Sequence, residues 1–326
     1  MKQNFIGKYI LADSSEFFYF KRNQWVDVAK GIAIILMILG HAAIPNSFSR
    51  FIYSFHMPLF FIASGMMTNW TKYSVKGFTK KKLKTLAAPF FIYSGIVLLL
   101  MNKFLEGGEI PFSWSGWQGY ALWFIPVLFV SLILVRIVKS IQKQWIRCII
   151  SFLLLILGVI FKCNKISLLW SMNVVPYACF MILLGAYLRD FRYIFDIPKW
   201  SVLILGFLIT FIVSHFWKLD MAWNNITPVI PLTIGAIAGT FMIFTLSSFI
   251  VINYPKGSSL FQYIGKNTFV IVAFSQVIII LCNTHLVCNS IIKYTILLFC
   301  LWGIIYVKNG IKKQINKIWQ YYLYQV

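Results

Sequence analysis

From residue 24 to residue 307 the chain is a succession of long apolar segments with short polar connections, and this recurrence restricts the fold to one class. The segments are too long and too rich in Leu, Ile and Phe to be strands of a membrane barrel, which alternate polar and apolar residues over about ten positions. Composition agrees: 60% of the 326 residues are hydrophobic and 12% are charged, with a mean hydropathy of +0.79. A soluble globular chain carries about 25% charged residues. The predicted fold is therefore all-α, a polytopic membrane helix bundle. About ten transmembrane helices are expected, at residues 24–44, 51–70, 85–101, 119–138, 146–162, 167–188, 200–217, 227–251, 267–285 and 289–307. Each reaches or approaches the roughly 20 residues that cross a hydrocarbon core of about 30 Å.

Placing the N-terminus inside puts 23 of the 30 Lys and Arg residues on the cytoplasmic side. Five fall outside (Arg50, Lys103, Lys162, Lys165 and Lys218), and Lys30 and Lys293 lie within spans. This asymmetry predicts cytoplasmic N- and C-termini. It also accounts for most of the formal net charge of +22 without a nucleic-acid partner. The organisation that follows is a cytoplasmic or interfacial tail at 1–23, one transmembrane domain at 24–307 and a basic cytoplasmic tail at 308–326. The first tail carries Asp13, Ser14, Ser15 and Glu16 and lacks the clean apolar core of a cleavable signal peptide. Its Phe5, Ile6, Phe17, Phe18 and Phe20 suit the membrane surface. The cysteines at 148, 163, 179, 282, 288 and 300 have neither metal-ligand spacing nor a disulfide framework, and are expected to pack as small apolar residues.

Inside the first span, WVDVAKGIAIILMILGHAAI carries three ionisable residues. At about 100° per residue, Asp27, Lys30 and His41 fall within roughly 60° of one another and share one stripe. Such groups cost on the order of 2.5 to 3.5 kcal/mol each at membrane depth and usually face a bundle interior or a watery cavity. The second span, FIYSFHMPLFFIASGMMTNW, adds His56 about six residues in. The short connection PNSFSR makes the two spans an antiparallel hairpin, with His41 and His56 at similar depth. Histidine suits a general base or a transient acyl carrier near neutrality, and equally well a hydrogen bond to a neighbouring helix. The next connection, KYSVKGFTKKKLKTLAAPFF, holds Lys72, Lys76, Lys80, Lys81, Lys82 and Lys84 with no acidic residue. That cluster fits anionic lipid or the phosphates of a ligand, and also plain orientation by the positive-inside rule.

On the outer side two aromatic and acidic groups stand out: Trp114, Trp117 and Trp123 with Glu106 and Glu109, and Trp217 and Trp223 with Asp220. They suit either an interfacial aromatic belt or stacking on the faces of a sugar. His215 and His285 also fall near outer helix ends, but without paired ligand spacing, and no metal is expected.

The ordered set WVDVAKGIAIILMILGH, FHMPLFFIASGM, KKKLKTLAAPFF, ALWFIPVLF and YIGKNTFVIVAF closely resembles the integral-membrane acyltransferase family 3, which includes bacterial O-acetyltransferases of cell-surface polysaccharides. The resemblance runs from about residue 24 to the ninth span. It implies a basic residue, ten others and an essential His in the first span, matched by Lys30 and His41 with Lys in place of the usual Arg. It also implies a basic pair that binds the acyl-CoA donor, matched by Lys81 and Lys84 and flanked by Lys80 and Lys82. Thr85 stands near where a second Arg often sits, and Ser275 where relatives often have His.

The resemblance implies an O-acetyltransferase of the bacterial cytoplasmic membrane. It would hold no bound cofactor, take acetyl-CoA as donor substrate, and use a cell-surface glycan or lipid-linked sugar as acceptor, with membrane lipid around it. His41 is then the general base, with Asp27, Lys30 and His56 as supporting groups. The alternative from another class is a polytopic transporter of a sugar-linked lipid or anionic metabolite, using the same charges as a relay. The acyltransferase expectation carries a geometric demand, a polar passage from Lys84 to His41.

Overall fold

The computed structural model describes residues 24–41, 44–104, 121–285 and 289–323. The N-terminal tail, Glu106, Glu109, Trp114, Trp117 and Cys288 lie outside the described residues. Each of the ten expected segments contains helix, and among the described residues the only β pairing is one isolated bridge, Asp220 with Asn225. Among the described residues seven helices are long and apolar enough to cross a membrane, and Trp200–Phe216 is a shorter apolar helix.

The first expected span forms α1 (Gln24–Gly40). The second does not form one helix. It divides into α2 (Asn46–Tyr53), which takes in most of the expected connection PNSFSR, and α3 (His56–Met67). Pro58 gives the reason: it has no N–H to donate to the Ser54 carbonyl four residues back, and its ring would collide with that carbonyl. In the first turn of a new helix the missing donor costs nothing. His56 is consequently the first residue of α3, not the sixth of a continuous span. At about 1.5 Å per residue, the 12 residues of α3 cover roughly 18 Å, well short of a bilayer core. All but Ser64 and Met67 are buried, so α3 is an interior helix surrounded by others.

Next come α4 (Val75–Lys82) and α5 (Ala88–Phe104), joined through a wide π-helical turn at Leu83–Ala87. The bundle continues with α6 (Phe124–Val138), α7 (Gln144–Cys163), α8 (Val175–Leu188), α9 (Trp200–Phe216) and α10 (Val229–Asn253). A helix not anticipated, α11 (Pro255–Lys266), occupies the expected eighth connection and lies along α1. After α12 (Thr268–His285), α13 runs unbroken over Ser290–Leu323, so the expected basic tail from 308 begins as a continuation of that helix.

The centre of the bundle is the crossing of α3 with α8. A Cβ added at Gly65 would strike the Ile182 carbonyl oxygen, and one added at Gly185 would strike that of Ile62. The backbones therefore meet directly, the small-residue packing that lets helices associate without a water-driven hydrophobic force. The crossing of α1 with α11 is built the same way, with Gly31 against Phe261 and Gly265 against Asp27. Around this centre, α7 and α9 turn Phe152, Leu153, Ile156, Leu205, Phe207 and Phe211 outward, an apolar surface suited to lipid.

Candidate active site

The direction of the helices separates two polar regions. His41 follows the end of α1, and His56 opens α3, so both lie at one end of the bundle. The chain leaves α3 at the other end and enters the lysine-rich segment there.

At the histidine end, Tyr53 stands between the two imidazoles. Its hydroxyl is 3.3 Å from His41 Nδ1, and its ring centroid is 6.0 Å from that of His41 and 5.0 Å from that of His56, edge to face in both cases. His56 is buried, and its Nδ1 lies 2.9 Å from the Ile52 carbonyl oxygen. A carbonyl only accepts, so Nδ1 carries the proton and Nε2 of the neutral ring carries the lone pair. His41 is exposed at the end of its helix.

These three side chains form part of the wall of a cavity of about 500 Å³. The opposite walls include Trp123, Ser171, Asp220, Trp223, Asn224 and Gln276. Several elements bring them there. Gln276, on α12, accepts from the Ala121 backbone N–H at 2.6 Å and so ties α12 to the start of α6. Ser171 has positive φ, as does Trp170, in the kinked stretch Leu169–Val174 before α8. Asp220 pairs with Lys218 at 3.3 Å, and the Lys218 ammonium also lies 4.5 Å from the centre of the Tyr53 ring. Arg50 Nη1 donates to the His215 carbonyl at 2.9 Å, fixing α2 to the end of α9.

Asp27 and Lys30 are in place as a pair, with Lys30 Nζ 3.0 Å from Asp27 Oδ1 one turn away. They do not join His41. The rise from Lys30 to His41 is about 16 Å at helical spacing, and the cavity takes Met37 of α1 and His41 just beyond its end but neither member of the pair. The pair and His41 are split in depth: Asp27 is buried, with its backbone against Gly265 of α11.

The lysine end is ordered by Tyr73. Arg136 donates to the Tyr73 carbonyl through Nε at 3.3 Å and Nη2 at 2.8 Å. The Tyr73 ring takes Lys81 at 4.7 Å and Lys72 at 5.7 Å from its centre, and its hydroxyl is 3.4 Å from Lys81 Nζ. Lys82 lies over Phe78 at 5.2 Å. Lys80 and Lys84 are exposed, Lys84 within the π turn. Thr85 bonds back to the Lys81 carbonyl at 3.0 Å. None of Lys80, Lys81, Lys82 and Lys84 reaches the cavity lining, so the expected polar passage is not open from end to end.

Tyr53, Asn224, Gln276 and Ser171 were not singled out in the sequence. Trp123, Asp220 and Trp223, noted there as belt or sugar-stacking candidates, lie on the cavity wall; Trp217 does not. Ser275 is fully buried and off the wall, while its neighbour Gln276 is on it. Among the described residues no group of three or more His, Cys, Asp or Glu is placed to hold a metal ion.

A multi-pass helical membrane protein with a histidine-lined cavity at one end of its bundle is the class that fold and site define. A family profile described as an acyltransferase domain matches residues 23–309, and the chain belongs to this family, acyltransferase family 3. It is accordingly a membrane acyltransferase. No curated protein and no solved structure matches the chain.

Proposed function

We propose that the protein is an O-acetyltransferase that moves acetyl from acetyl-CoA to a hydroxyl of a cell-surface glycan or lipid-linked sugar, with His41 as general base. The observation that carries this reading is the grouping of His41, Tyr53 and His56 on one cavity in a chain of this family. His41 takes the proton of the acceptor hydroxyl as its oxygen attacks the thioester carbonyl. The new C–O ester bond forms, the C–S bond breaks, and the coenzyme A thiolate leaves and is protonated. Tyr53, bonded to His41 Nδ1, holds the imidazole in orientation.

The 23 to 5 distribution of basic residues supports an orientation with both termini inside, and the family reading supports a bacterial cytoplasmic membrane. On that orientation the cavity opens outward and the lysine segment meets the cytosolic donor. The phosphates of acetyl-CoA bind Lys80, Lys81, Lys82 and Lys84, and the pantetheine arm carries the acetyl group into the bundle. Because the cavity stops short of these lysines, the donor path opens only with movement of side chains between them.

The direct test is purified protein with labelled acetyl-CoA and polysaccharide extracted from the host envelope. Labelled ester on the polysaccharide is expected, and a complete lack of it sinks the proposal. The donor site has its own test. Reversing charge in Lys81→Glu with Lys84→Glu should raise the half-saturating acetyl-CoA concentration about tenfold or more, equivalent to at least about 1.4 kcal/mol. The effect should shrink with added salt, as exposed charges are screened. An unchanged donor curve would place the phosphates elsewhere.

A further inference from the structure

The connection between α9 and α10 closes one side of the cavity and is built as a rigid cap. Asp220 and Asn225 exchange two backbone hydrogen bonds, at 3.0 and 2.8 Å, and Asn225 Nδ2 donates to the Lys218 carbonyl at 2.9 Å. Leu219, Met221 and Ile226 are buried and anchor the cap to the bundle. At its tip Asn224 has φ 51° and ψ 32°, the left-handed region. That region favours Gly and, among other residues, Asn. The turn alone therefore accounts for the residue type but not for the position of its side chain.

Asn224 is 3% exposed and lies on the cavity wall, and neither its Oδ1 nor its Nδ2 has a hydrogen-bond partner among the described residues. A buried amide without partners is costly. Gly would make the same turn without that cost. An amide presents one acceptor and two donor hydrogens side by side, a match for neighbouring hydroxyls of a sugar. The surroundings suit the same ligand: Trp123 and Trp223 offer aromatic faces, and Ser171 offers a hydroxyl.

We infer that Asn224 is the acceptor-recognition residue of this site, its side-chain amide hydrogen-bonding the hydroxyl groups of a sugar held in the cavity. The inference rests on the acetyltransferase reading and names the wall of the cavity that binds the acceptor. It assigns Asn224 to positioning and not to proton transfer, so its loss should fall on acceptor saturation.

Asn224→Gly separates the two roles of the residue, because Gly keeps the left-handed backbone and removes the amide. Asn224→Asp keeps the side-chain size and removes the donor. Acetyl transfer from labelled acetyl-CoA is measured against envelope polysaccharide concentration, then against acetyl-CoA concentration, with thermal stability in detergent followed alongside. For Asn224→Gly the half-saturating polysaccharide concentration should rise about tenfold or more, with acetyl-CoA half-saturation and thermal stability unchanged. Asn224→Asp should shift the same curve in the same direction, and it decides the matter if the Gly variant fails to accumulate. Wild-type polysaccharide saturation in these variants would overturn the inference and leave Asn224 as a turn residue. Equal shifts for donor and acceptor would overturn it as well, since they indicate a collapsed cavity. A wild-type protein that transfers no acetyl at all is a different result, and it removes the acetyltransferase reading itself.

Discussion

Replacing His41 by Ala is expected to lower the rate of acetyl transfer by about 10²- to 10⁴-fold, the range that a positioned general base contributes. Thermal stability should hardly move. His41 is exposed at a helix end, and its side chain gives up one 3.3 Å hydrogen bond and one edge contact with Tyr53. The measurement is single-turnover transfer from labelled acetyl-CoA at saturating polysaccharide, which removes substrate binding from the comparison. Tyr53→Phe keeps the ring contacts with both histidines and deletes only the hydroxyl. It should therefore slow transfer by less than His41→Ala does. If His41→Ala loses less than about fivefold, well below the general-base range, the base lies elsewhere, and His56, on the wall of the same cavity, is the next candidate.

This expectation comes from two residues that were legible in the sequence by different routes. His41 stands out as an ionisable residue in an apolar run. His56 stands out by its place after a short connection, although the span it belongs to is divided at Ser54 and Phe55 and is not one continuous helix. Pro58 is the residue that signals the division, since a proline three residues into α3 cannot sit inside one continuous helix from 51 to 70. Tyr53 became visible only after that break, because the turn at Ser54 and Phe55 is what sets its ring between the two imidazoles.

Asp27 and Lys30 illustrate what periodicity can and cannot supply. Spacing along a helix gives the angle at which a side chain leaves, and the angle was right: the two residues form an ion pair. Spacing also gives depth, about 16 Å from Lys30 to His41, and depth separates the pair from the cavity. What lies at Asp27 is set by α11, and α11 was not foreseen because its PKGSSLFQYIGK segment is too polar and too short for a span. The far walls of the cavity were the least legible. Ser171, Asn224 and Gln276 come from three different parts of the chain, and no local pattern tells that a kinked turn, a capped connection and α12 converge on the histidines.

The largest effect on the folded state is expected at the crossing that carries those walls. Gly65→Val or Gly185→Val should destabilise the bundle by about 1–3 kcal/mol or more, the cost of overpacking a close interior contact. The obstacle at each position is the backbone carbonyl of the facing helix, Ile182 for Gly65 and Ile62 for Gly185. A side chain could change rotamer to make room, whereas these carbonyls can move only if the whole helix moves. The consequence reaches the site, because α3 begins at His56 and α8 is preceded by Ser171, residues on two walls of one cavity. Heating detergent-solubilised protein and following the monodisperse fraction by size-exclusion chromatography measures the loss, with acetyl transfer assayed on what survives. Gly303→Ala serves as the control. Nothing lies within 4 Å of its added Cβ, so it should leave stability unchanged or raise it slightly. A Gly65→Val protein as heat-resistant as wild type would show that α3 and α8 do not meet backbone to backbone, and the placement of His56 and Ser171 on one cavity would fall with that contact.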